Sequence, residues 1–156
     1  MLLAIYLNDH LAGATVGREL ARRTAQSNRD NSEFGPFLSG LAQEIDEDRR
    51  SLLAIMGKLS VKVDRLKVAA AWGGEKLGRL KLNGRVRGYS PLSRLVELEG
   101  LMLGVQGKLA LWRTLDRLDP NMAGRPGDLA ELQRRAQDQL DRLEVHRQRA
   151  VDEALG

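Results

Sequence analysis

The sequence predicts an all-α protein, a four-helix bundle in outline, with a long, partly helical crossover between its second and third helices. Three observations carry that reading. Hydrophobic residues make up 42% of the 156 but aromatics only 4%, so Leu, Ala, Val and Met must build the core. That composition suits helix-on-helix packing better than a β-sandwich. Apolar residues recur near a 3.6-residue period through four segments. Residues 60–89, between the second and third of these, are too many for a turn.

The first helix is expected over 2–27, with Leu2, Ile5, Ala12, Val16 and Leu20 on its apolar face, ending in the polar cluster 27–32. The second opens at Gly35-Pro36, where a proline's missing N–H costs nothing. Phe37, Leu41, Ile45, Leu52, Ile55 and Leu59 form its stripe. The third begins with Ser90 as N-cap and Pro91 at the first position. It is apolar nearly all round, from Leu92 to Leu115, so it is either the most buried helix or meets a partner. Gly100, Gly104 and Gly107 lie along it, each costing roughly 1 kcal/mol of helix propensity against alanine. Close helix–helix approach is the expected compensation. The fourth helix is expected to be capped by Asp128, with Glu131 completing a capping box, and to bury Leu129, Leu132, Ala136, Leu140, Leu143 and Ala150.

The crossover has a helical pattern of its own over about 63–80. A connection of that length can travel the height of a bundle, which would set the second and third helices parallel. The whole chain reads as one domain, 1–156. There is no cysteine, which excludes disulfides and thiolate metal sites and makes the cytoplasm the expected compartment. No apolar run approaches a membrane span. The apolar start at Met1–Leu7 is too short for a signal core and has no basic leader.

With helix directions set, residues can be placed by level. Antiparallel pairing puts Glu19 beside Glu44 and Glu99 beside His146, and parallel second and third helices put Glu44 level with Glu99. Glu44 and Glu99 fall on or beside apolar stripes, Glu44 together with Asp48. Desolvating a bare carboxylate costs several kcal/mol unless it is paired or bound to metal. Satisfaction by neighbouring arginines is the plainer outcome for such a layer.

At these residues the chain resembles the ferritin-like di-metal carboxylate proteins, whose helices carry Glu, Glu-x-x-His, Glu and Glu-x-x-His in turn. Glu19, Glu44-Ile-Asp-Glu47, Glu99 and Leu143-Glu-Val-His146 occupy the corresponding places, with Glu47 where a His belongs and Leu143 where a bridging Glu belongs. The resemblance implies a ferritin-like topology and a single-metal or vestigial site for iron or manganese on Glu19, Glu44, Glu47, Glu99 and His146, with oxidase-type chemistry if active. His10 lies roughly 13 Å along the first helix from that level and is expected to be a capped or surface histidine.

Eight basic residues against two acidic ones occupy 62–87, including Lys76, Arg79, Lys81, Arg85 and Arg87, with Trp72 among them. They offer an anionic surface or nucleic acid a contact, or form the solvated face of the crossover. No nucleophile elbow, phosphate loop or nucleic-acid motif accompanies them. The leading expectation is a non-catalytic structural or interaction module, self-associating, as a dimer, through its third helix.

Overall fold

A computed structural model describes residues 2–70, 88–125 and 127–156 of the chain. The protein is all-helical, with no strand among the described residues. Four long helices run Leu2–Ser27 (α1), Phe34–Lys58 (α2), Pro91–Leu118 (α3) and Asp128–Leu155 (α4). α1 lies beside α2 and α3, and α4 lies beside α3 and α2, so the four close a ring around one core.

Cross-helix contacts fix the directions. Tyr6 donates to Thr114 at 3.2 Å and Arg23 to Glu97 at 3.0 Å, so α1 and α3 are antiparallel. Arg135 reaches Glu47, Arg142 reaches Glu44 and Arg149 reaches Glu33, so α2 and α4 are antiparallel. The short loop after α1 turns the chain back. α2 and α3 therefore point the same way, as the length of the crossover allows.

Local chemistry sets the helix ends. Asn31 Oδ1 accepts from the amides of Glu33 and Phe34, so α2 opens earlier than Gly35-Pro36 and Pro36 sits inside its first turn. Gly35 is required there. A Cβ on it would stand 2.9 Å from the carbonyl oxygens of Asn28 and Arg29. Ser90 caps α3 as expected, accepting from Ser93 N at 3.1 Å, with Pro91 at the first position. α4 differs from expectation. Gly127 stands at the N-cap with φ of 92°, while Asp128 accepts backwards from Arg125 N at 3.0 Å. Asp128 and Glu131 still put negative charge in the first turn, where the helix dipole favours it.

The buried face of α1 is rotated from the expected one. Leu7, Leu11, Ala12, Thr15 and Ala21 point inward, whereas Leu2 and Ile5 are exposed. Its buried threonines and asparagines misled the apolar count. Thr15 and Thr24 satisfy their hydroxyls on the carbonyls of Leu11 and Leu20 and so travel inward at little cost. α3 buries Leu95, Leu98, Leu101, Val105, Leu109, Trp112 and Leu115, which leaves Leu92, Val96 and Leu103 outward.

Two asparagines, Asn8 of α1 and Asn28 just after it, hold the two described ends of the crossover. Asn8, 7% exposed, donates to Lys62 O at 3.0 Å and accepts from Asp64 N at 2.7 Å. Asp64 then caps a helical stretch at 65–70 by accepting from Lys67 N, and Lys67 pairs with Asp9. At the far end Asn28, 2% exposed, donates to Tyr89 Oη at 2.7 Å and accepts from Arg94 at 2.6 Å. Tyr89 in turn donates to Glu97 at 3.0 Å. Burial, with Glu97 adding to it, lifts the Tyr89 hydroxyl far above the ordinary tyrosine range and keeps it a donor. Asn28 lies twenty positions after Asn8, about 30 Å along the helix axis.

Candidate functional site: a glycine-lined cleft over a buried ion pair

The expected layer does not form. His146 stacks on Phe37, seven residues or about 10 Å of helix from Glu44, and Glu19, Glu44, Glu47 and Glu99 are each committed to a partner of their own. Glu19 lies 3.7 Å from Arg18. Glu44 accepts from Arg142 at 2.7 Å and from Gln139 at 3.0 Å. Glu47 is exposed and meets Arg135 at 3.2 Å, and Glu99 is exposed and meets Arg147 at 3.8 Å. Glu99, expected beside an apolar stripe, lies with Leu92 and Gln106 on the exposed face of α3.

His146 packs rather than reaching across. Its ring stacks on Phe37 with centroids 3.7 Å apart and 8° between planes, and meets Phe34 edge-on at 5.9 Å. Its Nδ1 lies 2.8 Å from Arg142 O; a carbonyl only accepts, so that nitrogen carries the proton. Among the described residues no three His, Cys, Asp or Glu side chains gather where they could hold a metal ion. Trp72 and the basic residues Lys76, Arg79, Lys81, Arg85 and Arg87 lie outside the described residues.

The buried polar centre is instead Asp48. It is 2% exposed, on the stripe of α2 between Ile45 and Leu52. Lys108 crosses the core from the diagonal helix α3 to donate to Asp48 and to Gln139, which is 0% exposed on α4. Arg135 takes the other oxygen of Asp48, and Gln139 donates to Asp48 at 3.2 Å and to Glu44. Burial pulls the Lys108 ammonium below the ordinary lysine range, and Asp48 opposes that pull. A buried pair stays favourable when its charge is met by hydrogen bonds, and both oxygens of Asp48 are met from α3 and α4, while the Nε–H of Arg135 is buried with no acceptor among the described residues.

Over this pair opens a cleft of about 290 Å³ between α1 and α3. Gly13 and Gly17 line it from α1, and Gly104 and Gly107 from α3. The antiparallel register sets Gly13 opposite Gly107 and Gly17 opposite Gly104. Leu52, Leu101, Leu111 and Trp112 form apolar walls, Asp48, Arg49 and Lys108 are the polar part, and Leu103 stands at the rim. His10 closes one end, held edge-on by Tyr6 with centroids 4.5 Å apart. Burial pulls its imidazole below the ordinary histidine range, and Asp9 opposes in part.

The α3 glycines therefore serve two ends. A Cβ on Gly100 would meet Leu20 Cδ2 at 3.1 Å, the close approach the spacing predicts. A Cβ on Gly13, Gly17, Gly104 or Gly107 would meet nothing within 4 Å. There the glycines leave space instead of drawing helices together.

Sequence reasoning passed over Lys108, Gln139 and the α1 glycines. The signal existed. Each of α2, α3 and α4 carries one polar residue within an apolar stripe at a shared height, and Gly13 and Gly17 repeat the four-residue spacing of Gly100 and Gly104. Comparison with protein-family models, with curated proteins and with solved structures gave no match.

Proposed function

We propose that this chain works by binding: a helical bundle that holds a small apolar or amphipathic molecule in the α1/α3 cleft. One observation carries the reading, the four glycines that face one another across open space. Each costs a helix interior roughly 1 kcal/mol against alanine, and no packing contact offsets that cost. A shaped cavity with apolar walls and a few convergent polar groups is the usual form of a small-molecule site. The buried charges favour binding over proton transfer, because both oxygens of Asp48 are occupied by Lys108, Arg135 and Gln139. The parallel run of α2 and α3 supports a ferritin-like wiring for the bundle.

The test is ligand-dependent stability. Saturating 1-octanol should raise the melting temperature of the protein by several degrees, since a ligand at 100 times its Kd stabilises by about 2.7 kcal/mol. Gly104→Leu, which fills the cleft, should melt at the same temperature with and without the alcohol. Equal shifts in both proteins would remove the cleft from the account.

A second reading rests on α3. Leu92, Val96 and Leu103 are 52%, 58% and 77% exposed along one stripe of that helix, and a second copy of the chain is the simplest cover for them. Light scattering should then report a dimer that Val96→Glu dissociates. A wild-type monomer at high concentration would end this reading.

A further inference from the structure

The cleft has no charge to spare. Its charged lining side chains are two acids and two bases, Asp9, Asp48, Arg49 and Lys108. Each already has its answer within the protein. Lys108, Arg135 and Gln139 meet Asp48, Lys67 meets Asp9, and Arg49 donates to Thr15 while Asp46 attracts it. An ionic guest would bring a charge that none of the four is left to meet, and an unmet charge is costly against apolar walls. The indole N–H of Trp112 is closed off and offers a guest nothing.

His10 is different. It lines one end of the cleft, half-buried, with its ring against Tyr6. Among the described residues neither ring nitrogen has a hydrogen-bond partner, and neither is sealed off as the Trp112 N–H is. Burial pulls the imidazole below the ordinary histidine range, so at about pH 7 the ring is neutral, with one N–H and one bare nitrogen. No partner fixes which nitrogen carries the proton. The group that meets this ring must therefore be able to donate or to accept, and a hydroxyl does either.

The rest of the guest faces the glycines and the apolar walls. From His10 to Gly17 is seven positions, about 10 Å of helix. About 290 Å³ holds on the order of ten non-hydrogen atoms at roughly 30 Å³ each, a chain of about eight carbons with one polar atom. We infer that the cleft binds a small uncharged aliphatic alcohol, with its chain along the glycines and its hydroxyl on the imidazole of His10. The inference rests on the cleft being a binding site and adds the chemical class of the ligand and the residue that orients it.

The experiment is calorimetric titration of the full chain at about pH 7 with four probes of similar size: 1-octanol, octanoate, octylamine and 1-chloroheptane. The acid and the amine are charged at that pH, and the halide forms no comparable hydrogen bond. 1-Octanol should bind at least tenfold more tightly than either ion. His10→Leu should weaken 1-octanol at least threefold, the scale of one neutral hydrogen bond, and leave 1-chloroheptane within about twofold. In the wild-type protein the ring-nitrogen NMR resonances of His10 should move on addition of 1-octanol. Octanoate or octylamine binding as tightly as the alcohol overturns the inference while the cleft stands. So does His10→Leu changing 1-octanol and 1-chloroheptane by the same factor, or a His10 ring that stays still while 1-octanol binds. Binding of none of the four probes overturns the cleft as well.

Discussion

His10 shows what burial does to one ionisable side chain. Half-covered at the end of the cleft and against Tyr6, it loses solvation that the imidazolium needs more than the neutral ring does. Asp9 would favour the charged form, but Lys67 shares Asp9 and desolvation wins. Its folded-state pKa therefore lies below 6.5. Below pH 6.5 the unfolded chain takes up a proton that the folded chain resists, so the unfolded state is favoured as pH falls. The contribution of His10 is complete above about pH 6.5 and is lost as pH drops through the folded value. Melting temperature should thus rise between about pH 5 and pH 7, and His10→Asn should flatten that rise. An NMR titration placing His10 at or above 6.5 would contradict the account. Asp48 shows the opposite strategy: it is more deeply buried than His10, and its charge is met from three sides rather than avoided.

Among the elements, α1 and α3 show how the same residue type can be structural or functional. Gly35, at the entry to α2, has two carbonyl oxygens where a Cβ would go, and Gly100 has Leu20. Gly104 has open space. Gly35→Ala should therefore destabilise the fold by roughly 1–3 kcal/mol, the scale of overpacking. Gly104→Ala should stabilise it by up to about 1 kcal/mol through helix propensity alone. Urea midpoints of the two variants, moving in opposite directions from wild type, check both. The elements themselves were legible in the sequence, because long apolar periodicities and an N-cap of Ser90 followed by Pro91 leave few alternatives. The faces were less so. Threonine and asparagine turn inward on α1 by bonding their own helix, and three outward aliphatics on α3 blur which side is buried. A one-residue error on a helix is a 100° rotation, enough to turn Glu99 from the core to solvent.

At the scale of the whole molecule, the parallel run of α2 and α3 was legible because a connection too long for a turn can travel the height of the bundle. What topology could not supply was the company each acid keeps. An acid with an arginine within reach on the same or the neighbouring helix, as Glu44 has in Arg142 and Glu99 in Arg147, has no need of a metal. At the described start of the crossover, Asn8 ties the chain to α1. Its side chain meets both Lys62 O and Asp64 N from a position 7% exposed, where water is a poor substitute. Asn8→Ala leaves a carbonyl and an amide unmet, at roughly 1–3 kcal/mol for each that stays buried. The crossover joins the α1/α2 hairpin to the α3/α4 hairpin, so loosening it should be felt globally and not only at the loop. The expected result is a drop of several degrees in melting temperature together with at least tenfold faster hydrogen exchange at Asp64 N. Faster exchange there without any change in melting temperature would mean that the ring of four helices stands by itself and the crossover merely lies against it.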